Sequence, residues 1–369
     1  MKVKIGELTK IRTGKLDANA ASLDGEYPFF TCSKEPLRIS TYAYDCECVL
    51  VAGNGDLNVK YYNGKFNAYQ RTYIIEDNGS GKLYMPYLYY YMCMYVEELR
   101  KQAIGGVIKY IKLENLTNAL IEIPELEKQK VIVEKLSKLK GIIDNKKYQM
   151  AKIDGLVKAR FVELFGDPIS NSFGLNTKPM TDICEIIDGD RGKNYPTIDD
   201  FSDDGYCLFL NAKNVTSDGF NFENCMYITK ERDEALRKGR LKRGDVVLTT
   251  RGTIGNLAFY TNEIPFEHVR INSGMVILRM KQEVADEVYF IEHFKMQLAD
   301  IKAKIASGSA QPQLPISTMN KIQILIPEIE QQRDFAAFVE QVDKSKAAVQ
   351  KSLDKLQILF DSLMQEYFD

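Results

Sequence analysis

"IEIPELEKQK" (residues 121–130) returns as "ILIPEIEQQR" (residues 324–333), and that return decides how the chain is read. Pro124 maps to Pro327, Glu127 to Glu330, Gln129 to Gln332 and Lys130 to Arg333, at a constant offset of about 200 residues. Without a gap, Glu163 and Phe165 then fall on Glu366 and Phe368. Upstream, Gly105 falls on Gly308, Leu116 on Met319 and Ile123 on Ile326. The starts of the two copies agree more loosely. "GELTKIRTGK" (residues 6–15) resembles "TDICEIIDGDRGK" (181–193), and "CVLVAGNG" (48–55) resembles "VVLTTRGTIG" (246–255). A scaffold used twice, carrying two different surfaces, fits that pattern; two copies kept only for symmetry is the blander reading.

Each proline follows a strand-like triplet and suits the first turn of a helix, where a missing N–H costs nothing. Glu125, Glu127, Glu328 and Glu330 complement the positive end of the helix that follows. Apolar residues then step by four and three. The first copy gives Ile132, Leu136, Leu139, Ile143, Met150, Ile153, Val157 and Leu164, interrupted by Lys146 and Arg160. The second gives Phe335, Val339, Val342, Val349, Leu353, Leu356, Phe360, Leu363 and Tyr367, interrupted by Lys346. A 3.5-residue period over roughly five heptads is coiled-coil patterning. Each helix is about 40 residues and so about 60 Å long. A seam of that length needs a partner. The other copy, lying antiparallel, is the nearest one, with homodimerisation as the alternative.

The remaining sequence reads as two β-rich domains. Strands are expected at residues 27–30, 49–52 and 72–76 with a closing helix at 85–102, and again at 207–210, 246–250 and 275–279 with a helix at 288–306. The expected boundaries are a first domain at 1–122, a helix at 123–166, a linker at 167–175, a second domain at 176–325 and a second helix at 326–369. The fold class is therefore α+β: two pseudo-repeated β-rich α/β domains joined by two long helices forming an antiparallel coiled coil.

Composition removes several functions. With 45% hydrophobic and 27% charged residues the chain is globular. It shows no leader and no apolar run long enough to span a bilayer. Seven cysteines form no CxxC pair and there are two histidines, so no metal site is expected and reduced thiols in a cytoplasm are. "AGNGDL" (residues 52–57) lacks the third glycine of a nucleotide loop and is read as a strand-end turn. No phosphate loop, no NPP[FY] or DPP[FY] motif and no Glu-x-Lys occurs. No catalytic residue is assigned, which leaves a binding module.

The loops of the first domain offer Arg12, Lys15, Ser33, Lys34, Asn54, Tyr69, Gln70, Arg71 and Lys109. Those of the second offer Arg191, Lys193, Asn194, Lys213, Asn214, Arg251, Thr253, Arg270, Asn272, Gln311 and Gln313. Arg suits guanine and Asn or Gln suits adenine in bidentate contacts, so the set is competent to read a major groove. The formal net charge of −2 runs against nucleic-acid binding as a bulk attraction, and local basic groups or partner subunits would have to supply it.

At this point the chain resembles the DNA specificity subunit of type I restriction-modification systems. The resemblance rests on "IPELEKQK" and "IPEIEQQR", the junction "ELFGDP" (residues 163–168), "VVLTTRGTIGN" (246–256) and "SGSAQPQL" (307–314), and covers essentially the whole chain. "YPFFTCSK" (27–34) resembles a recognition domain of a different subfamily, and "SFGLNTKPM" lacks the tryptophan usual after the junction. The resemblance implies that each domain is a target recognition domain reading one half of a bipartite site in double-stranded DNA. It implies that the helices set the spacing and that two methyltransferase subunits dock on this chain, with nuclease-translocase subunits joining for restriction. S-adenosylmethionine would be bound by the methyltransferase partners and no cofactor by this chain. A self-sufficient methyltransferase or nuclease, and a scaffold without DNA, are the competing functions.

Overall fold

The fold is taken from a computed structural model describing residues 2–281, 283–306 and 313–368. The chain divides into two compact units, Met1–Tyr148 with Val349–Asp369, and Gln149–Ala348. Each unit combines one β-rich domain with the start of one long helix and the end of the other.

In the first unit the strands are β1 (Lys2–Lys4), β2 (Thr9–Thr13), β3 (Tyr27–Phe30), β4 (Leu37–Ile39), β5 (Tyr44–Ala52), β6 (Val59–Ala68), β7 (Thr72–Asp77) and β8 (Leu120–Glu122). A domain helix covers Met85–Gln102 and the first long helix Leu126–Phe165. Six strands form one sheet in the order β2-β7-β5-β6-β3-β4. Neighbours are antiparallel except β3 and β6, where Phe29 faces Asn67. The apolar run at the end of β5 does not alternate because both faces of that strand are covered. Val49 and Val51 pack with Tyr87, Leu88 and Met92 of the domain helix, while Cys48 and Leu50 join Phe30, Phe66 and Ile74 on the other side. Each such side chain taken from water contributes on the order of 1.5–3 kcal/mol.

The second unit contains β9 (Thr177–Pro179), β10 (Cys184–Asp188), β11 (Cys207–Leu210), β12 (Val215–Thr216), β13 (Gly219–Phe220), β14 (Tyr227–Ile228), β15 (Val246–Thr249), β16 (Leu257–Phe259), β17 (Val269–Ile271), β18 (Met275–Met280) and β19 (Gln323–Leu325). Its domain helix is Glu287–Ala306 and the second long helix Ile329–Phe368. Here the sheet is split, into β10-β18-β15-β16 and β14-β11-β17. The two-sided burial recurs. Val246 and Leu248 face Phe290 and Phe294, whereas Val247 faces Leu208, Leu210 and Ile271.

The glutamine shared by the two copies mounts each domain on its long helix. Gln129 is fully buried; its Oε1 accepts from the Tyr84 N–H at 2.9 Å, and its Nε2 donates to the carbonyls of Lys82 and Pro124, both at 2.8 Å. Gln332 repeats this: it accepts from the Asp286 N–H at 3.0 Å and donates to Val284 at 3.3 Å and Pro327 at 2.9 Å. A tyrosine adds a second tie in each copy, Tyr87 to the Glu122 carbonyl and Tyr289 to that of Leu325, both at 3.0 Å.

The long helices pair antiparallel in each unit. In the first, Ile132, Val133 and Leu136 share a core with Phe360, Leu363, Met364, Tyr367 and Phe368. In the second, Val157, Phe161 and Phe165 share one with Phe335, Val339 and the domain helix residue Tyr289. Leu139, Ile143 and Val342 are buried, and Met150, Ile153, Val349, Leu353 and Leu356 are half-buried. Leu164, expected in the seam, is instead 39% exposed, while Phe161 and Phe165 are at 0% and 2%. The strict heptad fails at that end because an unsupercoiled helix drifts about 20° per heptad away from a 3.5 repeat. The contact then steps by four, from Val157 to Phe161 to Phe165, and equally from Phe360 to Met364 to Phe368.

Candidate nucleic-acid interface

Hydrogen bonds tie the first domain's candidate loops into one surface. The Gly14 N–H donates to Thr72 (3.0 Å), Gln70 to Leu16 (2.9 Å), Tyr69 to Phe30 (2.9 Å), Gly53 to Arg71 (2.8 Å) and Gly55 to Lys109 (2.9 Å). Lys60 Nζ donates to the Ser33 carbonyl at 2.7 Å. Lys15, Ser33, Lys34, Asn54, Tyr69, Gln70, Arg71 and Lys109 therefore line adjoining loops, with Arg12 on β2 beside them. Lys15, Ser33, Lys34, Gln70, Arg71 and Lys109 are exposed, and Asn54 and Tyr69 half-buried. Arg12 is held in place, pairing with Glu76 at 2.7 Å and lying 4.7 Å over the Tyr44 ring. Lys34 reaches Asp56 at 3.7 Å.

The second domain builds the same kind of edge from other side chains. Arg251 Nε donates to Gln313 Oε1 at 3.1 Å, and the N–H groups of Thr250 and Arg251 both donate to Gly274, at 2.8 and 3.2 Å. Arg191 pairs with Asp188 at 3.1 Å and donates to the Ser273 carbonyl at 3.2 Å. Asn272 Oδ1 accepts from the Gly274 N–H at 2.9 Å, and Asn194 Nδ2 donates to Ala235 at 3.0 Å. Arg191, Arg251 and Gln313 face a cleft of about 250 Å³ shared with Asp188 and Thr250. Lys193, Lys213 and Thr253 are exposed nearby in sequence, and Gln311 lies outside the described residues.

Two expected contacts are corrected. Asn214 is 1% exposed; its amide accepts from the Asn211 N–H and donates to the carbonyls of Asn221 and Asn224, so no donor is left for a base. Arg270 is 4% exposed, paired with Asp233, and its guanidinium also binds the carbonyls of Leu236 and Lys238. Both are loop braces. Neither Asn214, just before β12, nor Arg270, within β17, shows in sequence whether its side chain points in or out.

Sequence reasoning passed over "RKGRLKR" (residues 237–243), five cations without an acid. The run itself was the available signal. Arg237, Lys238, Arg240 and Lys242 wall a cleft of about 470 Å³ with Arg279 and Arg270. Burial alone would raise the Asp190 carboxyl beside it. The N–H groups of Gly192 and Arg237 and the Arg237 guanidinium instead hold it well below the carboxylate range. The seven cysteines are free. Among the described residues no cluster of His, Cys, Asp or Glu suits a metal ion, and no helix is long and apolar enough to cross a membrane.

The two surfaces are built from equivalent bonds. Asn54 bridges Tyr110 as Arg251 bridges Gln313. The Ile111 N–H donates to Gly53 and the Leu314 N–H to Thr250, both at 2.9 Å. Scaffold positions match while the side chains displayed differ.

Comparison with known proteins agrees with this duplicated architecture. Residues 1–154 and 174–357 match the family described as type I restriction modification DNA specificity domain. The type I restriction enzyme EcoDI specificity subunit of Escherichia coli is 26% identical over 393 residues, covering 99% of this chain and 87% of that protein. The EcoBI specificity subunit, also of Escherichia coli, is 20% identical, covering 87% of this chain and 73% of that one. Among solved structures, the type I restriction-modification S subunit from M. genitalium aligns with a TM-score of 0.67 at 17% identity, over 100% of this chain and 96% of that one. A chain from a study of complex assembly and conformational transition of the type I restriction-modification system gives 0.60 at 15%, over 100% and 97%. The chain belongs to the type I restriction-modification specificity subunits, the non-catalytic component that confers DNA specificity.

Proposed function

We propose that residues 1–122 and 176–325 are two target recognition domains, each reading one half of a bipartite site in double-stranded DNA. The long helices set the distance between the halves. The observation that carries this reading is the pair of equivalent loop bridges, Asn54 to Tyr110 and Arg251 to Gln313, which place unlike side chains on like scaffolds. One position thus offers an amide and the other a guanidinium, groups that favour adenine and guanine respectively. Two methyltransferase subunits dock on the helices and domains; they bind S-adenosylmethionine and flip out the target adenine. Nuclease-translocase subunits complete the restriction assembly. That the neighbour with TM-score 0.60 comes from a study of complex assembly supports a role among partners.

Substituting Arg251→Ala in the complex with its methyltransferase partner tests the reading. Loss of about 1–3 kcal/mol at the preferred site is expected, with base preference relaxed at one position in one half. A wild-type complex showing no sequence preference, or a variant relaxed equally in both halves, would overturn it.

A further inference from the structure

The basic run of the second domain lies in a crossing that is longer than the corresponding one in the first. The first domain crosses from β3 to β5 through residues 31–43, whereas the second crosses from β11 to β15 through residues 211–245, and "RKGRLKR" lies in the longer crossing. Buried carboxylates anchor the arginines. Asp233 is fully buried and pairs with Arg240 and Arg270, and Asp245, 1% exposed, takes Arg279 through two bonds of 2.8 Å. Asp190 accepts the Arg237 N–H at 2.7 Å. Arg270 draws the carbonyls of Leu236 and Lys238 inward, which turns the loop's cationic side chains out. Lys238 and Lys242 are exposed and form no ion pair among the described residues, and Glu234, which also lines the cleft, lies 3.9 Å from Lys230.

This cleft continues into the proposed base-reading edge. The Ile271 N–H donates to Gly239 and the Leu241 N–H to Val269, both at 2.9 Å, so the basic loop is stitched to β17, which leads into Asn272 and Gly274. Fixed guanidiniums with flanking exposed ammoniums suit a row of phosphates, since phosphate contacts position a reader without carrying sequence.

We infer that the cleft walled by Arg237, Lys238, Arg240 and Lys242 grips the phosphodiester backbone beside the half-site read by the second domain, so that the two half-sites are held unequally. The inference rests on the DNA-reading role proposed above. It also answers the net charge of −2: the attraction is local, on one domain, rather than spread over the chain.

The test is a Lys238→Gln, Lys242→Gln double variant in complex with the methyltransferase partner, measured by fluorescence anisotropy from 50 to 200 mM salt. Two duplexes are used, one carrying the preferred site and one random. Both lysines are exposed, and an unchanged melting temperature confirms the fold. Affinity should fall roughly tenfold or more near 0.1 M salt on both duplexes, and the slope of log K against log salt should flatten by about 2, leaving base preference intact. An unchanged slope would overturn the inference. So would a loss of methyltransferase assembly with DNA binding by the assembled fraction unchanged, which would make the cleft a protein-docking surface. A wild-type complex without sequence preference would count against the base-reading role, while the slope difference on random DNA would still decide the cleft.

Discussion

Replacing Gln332 tests whether the repeated glutamine mounts a recognition domain on its helix. Three backbone groups depend on its buried amide: the Asp286 N–H and the carbonyls of Val284 and Pro327. A buried polar group left without a partner costs about 1–3 kcal/mol. Relaxation and water entry recover part of that, so Gln332→Ala should lose roughly 2–4 kcal/mol in urea unfolding. Backbone hydrogen exchange at Asp286 should accelerate accordingly. Gln332→Glu is the sharper variant, because a carboxylate keeps the shape and the acceptor but cannot donate to two carbonyls. Its folded pKa would be raised above the unfolded value of about 4.3, so the variant's stability should fall as pH rises through that window. Gln129→Ala should cost a similar amount through Tyr84, Lys82 and Pro124. The two residues lie in different units, so their losses should add in the double variant. A loss below about 0.5 kcal/mol in either single variant would refute the reasoning.

Three further outcomes follow from the packing. Phe165→Ala should destabilise by about 3–5 kcal/mol, whereas Leu164→Ala should stay within about 0.5 kcal/mol; denaturant midpoints of the two variants compare them directly. Burial holds the His293 imidazole down at about 3, so it stays neutral in the fold and charges only on unfolding. The unfolded chain therefore binds the extra proton between about pH 6.5 and 3, stability drops as pH falls through that window, and His293→Gln should flatten the acid limb of a stability–pH profile. Inserting one heptad into each long helix lengthens them by about 10 Å, so the tolerated gap between half-sites should grow by about 3 base pairs in a binding selection; an unchanged gap would reject the spacing role.

Much of the fold was legible because it rests on periodicity and duplication. The strands at Tyr27–Phe30 and Cys207–Leu210 and the helix Met85–Gln102 fall on the residues expected. The matched glutamines were visible as a repeat, but their bonds to Tyr84 and Asp286 join residues over 40 positions apart, which no local pattern reveals. Leu164 misled because a heptad and a true helical turn diverge over five heptads. The candidate surface was legible as a set of loops and less so residue by residue. Asn214 and Arg270 have the chemistry of base readers, and only burial shows them bonded inward. The basic run at 237–243 was readable but was passed over for loops chosen by equivalence between the halves, and it lies where the halves differ.

The most direct measurement exchanges residues 176–325 for the corresponding domain of another specificity subunit, expresses the hybrid with its methyltransferase partner, and sequences the methylated motif. The account predicts a new sequence in one half of the motif, with the other half and the gap unchanged. A motif altered in both halves, or altered in neither, would contradict it.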